Sequence, residues 1–159
     1  MDFTIRNAAE SDLDALEALE KACFSLPWTR AQLKSELPDA RHEFLVAEAE
    51  GEVLGYIGMM TVLDEGYISN VSVAPAYRRR GLGRALVRQM LRRASDRELS
   101  FVTLEVRAHN ESAISLYASE GFGAVGLRRD YYERPREDAL LMTKFFPEKG
   151  RAQDEHTCL

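Results

Sequence analysis

The chain has 159 residues, which favours one domain with one core. Apolar residues make up 45% and charged residues 30%, an ordinary soluble composition, and the net charge of −5 argues against a chain that coats nucleic acid. Two cysteines, Cys23 and Cys158, make neither a disulfide framework nor a metal set and fit a reducing cytoplasm. The three scattered histidines, His42, His109 and His156, do not suggest a metal centre, so none is expected. The opening "MDFTIRNAAESD" lacks the basic and apolar regions of a signal peptide, and no apolar run approaches the ~20 residues of a membrane span.

Taken in chain order, "FTIRNA" reads as a first strand. "SDLDALEALEKACF" reads as a helix with Leu13, Leu16 and Leu19 on one face and Ser11-x-x-Asp14 as its start signal. "SLPWT" breaks it. Thr29-x-x-Gln32 is a capping box opening a second helix that stops at Pro38. "EFLVAEA", "VLGYIGMMTVL" and "YISNVSVAP" follow as three strands. The turns between them, "EGE" and Asp64-Glu65-Gly66, are short, so the strands are antiparallel. Leu82, Leu86, Met90, Leu91 and Ala94 then recur at helical spacing. In "FVTLEVRA", Val102, Leu104 and Val106 alternate with Thr103, Glu105 and Arg107, the mark of a strand.

"NESAISLYASEGF" is a short helix with Asn110 as N-cap and Gly121 as its stop, and "AVGLRRDYY" and "DALLMTKFF" are two final strands. The order β-α-α-β-β-β-α-β-α-β-β predicts an α/β (α+β) fold with a single mixed, mostly antiparallel sheet flanked by helices. Residues 1–147 form the expected domain, and 148–159 a polar tail.

One stretch carries chemistry. In "RRRGLGRAL", residues 78–86, glycines stand where a strand turns into a helix. Backbone N–H groups of such a turn can face one spot, and the helix N-terminus adds unpaired donors and partial positive charge, so an anion fits there. Neither glycine is needed to start a helix, and each costs it ~1 kcal/mol. The Walker pattern G-x-x-x-x-G-K-[ST] is absent, and Leu86 stands where a dinucleotide fingerprint needs its third glycine. A polynucleotide groove wants interleaved aromatics, and Tyr77 is the one candidate near this helix. Arg80, Arg84, Arg88 and Arg92 recur every four residues; Arg88 and Arg92 read as solvated surface.

"VAPAYRRRGLGRAL" resembles motif A of the GCN5-related N-acetyltransferases, [QR]-x-x-G-x-[GA], with Arg78, Gly81 and Gly83 in its fixed places. "LPWT" at 26–29, "LEVRAHNESAISLYASEGF" at 104–122 and "RRDYY…EDALLM" at 128–142 extend the resemblance over about residues 3 to 146. They point to the branch of the family that acetylates the N-terminal alanine of a ribosomal protein. The resemblance implies acetyl-CoA as cosubstrate and a protein or peptide N-terminus as partner, without membrane or direct nucleic-acid binding. It implies that Arg78, Arg79, Arg80, Gly81, Leu82, Gly83 and Arg84 hold the cofactor pyrophosphate through backbone N–H groups. Val71, Ser72 and Val73 would pair with its pantetheine arm, and Asn110 would add a cofactor contact.

The resemblance makes Glu105 the general base and Tyr117 the general acid toward the CoA sulfur. From the residues alone, Glu105 pairs with Arg107 on the same strand face, and Tyr117 is a core tyrosine with its hydroxyl at the edge. An α-amine with a reference pKa of ~7.7–8.0 is mostly protonated at neutral pH, so a base has work to do; a phenol at ~10 gives its proton to a thiolate at ~8.5 only uphill. Tyr131, Tyr132, Glu137 and Asp138, with Trp28 and Thr29 opposite, are the expected acceptor side; otherwise they are a hairpin turn and a hydrophobic anchor. Two other readings share these motifs: acetylation of lysine side chains or small amines, and a CoA- or RNA-binding module without catalysis.

Overall fold

The computed structural model describes residues 1–37 and 39–147. Pro38, read above as the stop of the second helix, and the 148–159 tail with His156 and Cys158 lie outside the described residues. The elements run β1 (Thr4–Asn7), α1 (Leu13–Cys23), α2 (Arg30–Glu36), β2 (His42–Ala49), β3 (Glu52–Val62), β4 (Glu65–Val73), α3 (Leu82–Asp96), β5 (Phe101–Arg107), α4 (Glu111–Ser119), β6 (Gly123–Tyr132) and β7 (Glu137–Phe145). The expected element order is therefore observed, with short 3-10 turns added at Glu10–Asp12 and Pro75–Tyr77.

The strands form one seven-stranded sheet in the order β1-β2-β3-β4-β5-β7-β6. One core lies between the sheet and α3, where Leu82, Leu86, Met90 and Ala94 meet Leu45, Ile57, Met59 and Leu104. The other lies under α1 and α2, where Leu13, Leu16, Leu19 and Leu33 meet Phe44, Val46 and Tyr56. The start of α1 differs from its expected signal. Asp12, not Ser11 or Asp14, closes the entry turn: its Oδ2 accepts the Ala9 N–H at 2.8 Å, and Arg6 clamps both carboxylate oxygens at 2.8 and 2.9 Å. Asp14 points outward and pairs with Arg30.

The joint between the two halves of the sheet sets the site. β4 and β5 are parallel neighbours only at Glu65–Phe101, Gly66–Val102 and Tyr67–Thr103. Beyond these pairs β4 stays with β3 through Val73, while β5 stays with β7 through Arg107. A bulge opens where they part: the register steps from Met59–Ile68 to Gly58–Asn70, leaving Ser69 as the extra residue. A bulge bends its strand and increases its twist, here at the point where pairing with β5 has stopped.

Polar groups on the α1 side of β4 hold this bend in place. Glu20 of α1, 1% exposed, accepts from the Asn70 side-chain amide at 2.8 Å, from the Trp28 backbone N–H at 3.1 Å and from the Tyr56 hydroxyl. A buried carboxylate is tolerated only when donors surround it, and these three tie α1, the loop after it, β3 and β4 together. Glu20→Leu leaves three donors without an acceptor, each costing ~1 kcal/mol or more. A stability loss of about 3 kcal/mol is therefore expected in urea unfolding at unchanged m-value; a loss below about 1 kcal/mol would contradict this role.

Candidate active site

The turn into α3 is built as an anion-facing helix start. Gly81 is the N-cap residue at φ 84°, a left-handed conformation that costs other residues ~1–2 kcal/mol, and Arg79 is also left-handed at φ 65°. Ala85 makes the first bond back to Gly81, at 3.0 Å, so the N–H groups of Leu82, Gly83 and Arg84 precede the helical ladder, and Gly81 has no side chain to cap them. Nothing in the fold requires glycine at 83: an added Cβ would meet Leu116 and Val73 at an ordinary 3.7 Å. The bare backbone there leaves room for something outside the fold.

The arginines divide into two kinds. The Arg78 Nε donates to the Val73 carbonyl at 3.2 Å, and Arg80 lies 5.4 Å over the Tyr77 ring. Arg84 reaches the Ser119 hydroxyl at 2.8 Å and Glu120 at 3.5 Å, and Arg88 pairs with the same buried Glu120. Arg88 is therefore a tie between α3 and the end of α4 rather than free surface. Arg92 makes no ion pair among the described residues, as expected of a solvated position.

Behind this turn the gap between β4 and β5 exposes backbone. The Ala74 N–H donates to the Leu54 carbonyl at 2.8 Å, which makes the Gly55–Val73 pair a widely spaced one, and Ile57–Val71 two residues back is its equivalent. Val71 and Val73 therefore turn their N–H and C=O groups away from β3, into the gap. Ser72, between them, turns its backbone to β3 and buries its hydroxyl without a partner among the described residues. Cys23, at the end of α1, also points its thiol at the Val73 carbonyl, 3.5 Å away.

Glu105 stands at the edge of this gap with its side chain 6% exposed. Its Oε2 accepts from the Tyr67 hydroxyl, and its Oε1 lies 3.3 Å from the Arg128 Nε. Burial, and then the adjoining carboxylate, push the Tyr67 phenol well above its ordinary range, so it stays a donor. Arg107, the neighbour expected to pair with Glu105, instead binds Glu137 at 3.3 Å and covers the Tyr132 ring at 4.4 Å. Tyr117 on α4 is buried edge-on to Phe122, its hydroxyl has no hydrogen-bond partner among the described residues, and burial pushes its phenol up to about 12. Asn110 caps α4 by accepting the Ala113 N–H at 3.2 Å, which occupies its oxygen and leaves its amide donors free.

The expected acceptor residues separate in the structure. Tyr131 and Tyr132 stand edge-to-face at 5.1 Å beside Glu105's partners. Trp28 packs on the core under α1 and α2, edge-on to His42 at 6.2 Å, while Thr29 is held in its capping box by Gln32 at 2.8 and 3.2 Å. Glu137 turns inward: it accepts the His109 N–H at 2.8 Å and the His109 ring at 3.1 Å besides Arg107. Asp138 accepts the Asp130 N–H at 2.8 Å and so fixes the bulged end of β6.

The model of the acetyltransferase (GNAT) family matches residues 13–122. The chain belongs to that family. It is 35% identical over 141 residues to the Escherichia coli K12 protein named ribosomal protein bS18-alanine N-acetyltransferase, covering 87% of this chain and 95% of the relative. It is also 35% identical over 147 residues to the Mycobacterium tuberculosis protein named N-alpha-acetyltransferase RimI, covering 89% of this chain and 91% of the relative. The crystal structure of the Escherichia coli ribosomal-protein-S18-alanine N-acetyltransferase superposes with a TM-score of 0.88 at 33% identity, over 94% of this chain and 97% of that one. No helix among the described residues is long and apolar enough to cross a membrane.

Within this GNAT domain several residues of the site escaped the sequence reading. Tyr67 and Arg128 hold Glu105 from 38 positions upstream and from β6, and Glu20 braces β4 from α1. The signal for Glu20 was a charge in a helix between Leu19 and Ala22, where an exposed residue is the ordinary expectation. Glu137 has a measurable signature. The His109 N–H first, then the Arg107 guanidinium and the His109 ring, hold its carboxyl below the ordinary range. It therefore adds stability above the unfolded value of ~4.3 and loses it as pH falls through the lowered folded value. Glu137→Gln is expected to melt below wild type at pH 7, with the difference closing as pH falls from about 5 to about 3. A difference independent of pH would contradict this.

Proposed function

We propose that the protein transfers the acetyl group of acetyl-CoA to the N-terminal α-amine of a protein, and that its acceptor is the N-terminal alanine of ribosomal protein bS18, the substrate named for its relatives. The catalytic unit in this reading is residues 1–147. The observation that carries it is the parting of β4 and β5, which leaves Val71 and Val73 without a strand partner on the gap side, with a buried carboxylate on one side and a bare helix N-terminus at the mouth.

The donor groups fit acetyl-CoA, which supplies a thioester-activated acetyl group. The N–H groups of Leu82, Gly83 and Arg84, presented by left-handed Gly81, suit its pyrophosphate. Arg78, Arg79 and Arg80 shape that turn. Val71 and Val73 offer alternating donors and acceptors to the amides of an extended arm, and a Val71 N–H facing the gap can take up charge developing on a carbonyl oxygen. Ser72 contributes by keeping that strand paired to β3. The free amide donors of Asn110 add a polar contact from α4.

The chemistry follows from the partners of each group. Glu105 accepts one proton of the incoming α-ammonium, which frees the nitrogen lone pair for attack; the C–N bond forms as the C–S bond breaks, and the second proton lost by the nitrogen goes to the departing thiolate, which leaves as the CoA thiol. Tyr117 faces the sulfur as a hydrogen-bond donor. A phenol pushed up to about 12 does not hand its proton to a thiolate whose acid has a pKa of ~8.5, but it is a steady donor to developing negative charge. Tyr131 and Tyr132 flank the acceptor with apolar area and hydroxyls, whereas Trp28, packed under α1 and α2, and Thr29, held in its capping box, shape the loop after α1. Glu137 and Asp138 act by holding the β6–β7 turn in shape.

Glu105→Gln is expected to lower turnover of an alanine-started peptide about a hundredfold or more with CoA affinity intact, and Tyr117→Phe to cost up to about a hundredfold in kcat. Gly83→Ala should leave the melting temperature unchanged or slightly raised and weaken CoA binding in calorimetry. Mass spectrometry of a peptide carrying both α- and ε-amines decides the acceptor: acetyl on the α-nitrogen supports the reading. Acetyl on the lysine alone, or only on a free small amine, overturns it.

A further inference from the structure

A cation sits against the carboxylate of Glu105. Of its two oxygens, Oε2 is engaged by the Tyr67 hydroxyl, so Oε1 is the one open to a second partner, and there the Arg128 Nε lies at 3.3 Å. That contact is an ion pair without the alignment of a hydrogen bond. Arg128 is 55% exposed on β6, the outer strand of the sheet, whereas the carboxylate is almost wholly covered. The mobile partner is therefore the guanidinium, which also has a second resting place: it lies 5.8 Å over the ring of Tyr131.

We propose that Arg128 holds, in the free protein, the place at Glu105 Oε1 that the acceptor's α-ammonium takes, and that acetyl transfer begins with the exchange of one cation for the other. The inference rests on Glu105 being the base. A covered carboxylate needs a cation or several donors, and an α-amine with a reference pKa of ~7.7–8.0 reaches the site at neutral pH as an ammonium. Exchange keeps the carboxylate paired throughout, while the displaced guanidinium remains on the Tyr131 ring. One proton then passes from the ammonium nitrogen to Oε1, leaving a neutral amine against a neutral acid. Arg128 thus acts as a positioning residue that keeps the carboxylate paired until the acceptor arrives and excludes weakly held acceptors.

The other groups around Glu105 do not compete for this part. Tyr67 from β4 stays protonated, β7 presents Leu141 across from it, and Tyr132 from β6 is a neutral phenol pushed up to about 12. Arg107, two residues along β5, is spent on Glu137 at 3.3 Å and on the Pro135 carbonyl at 2.9 Å. Tyr117 on α4 is likewise neutral.

The test is kcat and KM for an alanine-started peptide in Arg128→Met and Arg128→Lys, with Glu105→Gln as reference. KM for the peptide should fall severalfold in Arg128→Met with kcat retained, because nothing competes for Oε1, while Arg128→Lys stays near wild type in both. A KM that does not fall in Arg128→Met, or a loss confined to kcat, overturns the exchange while Glu105→Gln still lowers turnover about a hundredfold or more. If Glu105→Gln retains turnover, the base reading itself has failed and the exchange falls with it.

Discussion

β4 and β5 begin as parallel neighbours and stop pairing after Tyr67 and Thr103. Each then follows a different partner, β3 on one side and β7 on the other, so a sheet that is continuous at one end is split at the other. Backbone N–H and C=O groups are expensive to leave without partners, and a split sheet exposes a row of them. In the proposed reading that row is where an extended ligand completes the pairing. The other features of the site follow from where the split stands: α3 starts at its mouth, Glu105 lines one wall, and Tyr117 comes down from α4.

Holding the split open takes specific polar groups. The bulge at Ser69 bends β4, and Asn70, the next residue, is gripped by Glu20 under α1. On the other wall Tyr67, the last paired residue of β4, spans to Glu105 on β5. Most of the side chains along the α1 side of β4 are polar: Tyr67, Ser69, Asn70 and Ser72. Tyr67, Ser69 and Asn70 are met there by Glu105, His42 and Glu20 from β5, β2 and α1. Arg78 and Cys23 meet at the Val73 carbonyl, so the free protein covers part of its own exposed edge with side chains.

The local grammar of the chain was legible. Helix α3 announces itself by the spacing of Leu82, Leu86 and Met90, and Gly83 within its first turn has no helical purpose, while Gly81 supplies the left-handed N-cap. The element order could be read from turns and alternation alone. Partners distant in sequence could not. Glu105 and Arg107 share a strand face, which suggests a pair, yet the structure gives each a cross-strand partner, Arg128 and Glu137. Arg88 looks like surface until α4 brings Glu120 beneath it. Ser11 and Asp14 fit a helix-start pattern, but a 3-10 turn shifts the entry so that Asp12 does the work. In each case the deciding contact crosses between elements, and periodicity carries no information about it.

In the proposed reading the gap-facing N–H groups of Val71 and Val73 have no strand partner until the cofactor pairs with them. Amide hydrogen exchange read at single residues tests it most directly. Without CoA the Val71 and Val73 amides should exchange much faster than Ser72, whose backbone is paired with β3. Saturating CoA should slow Val71 and Val73 strongly and leave Ser72 nearly unchanged. Slow exchange at Val71 and Val73 without CoA, or no protection on adding it, would rule out this role for the split strand.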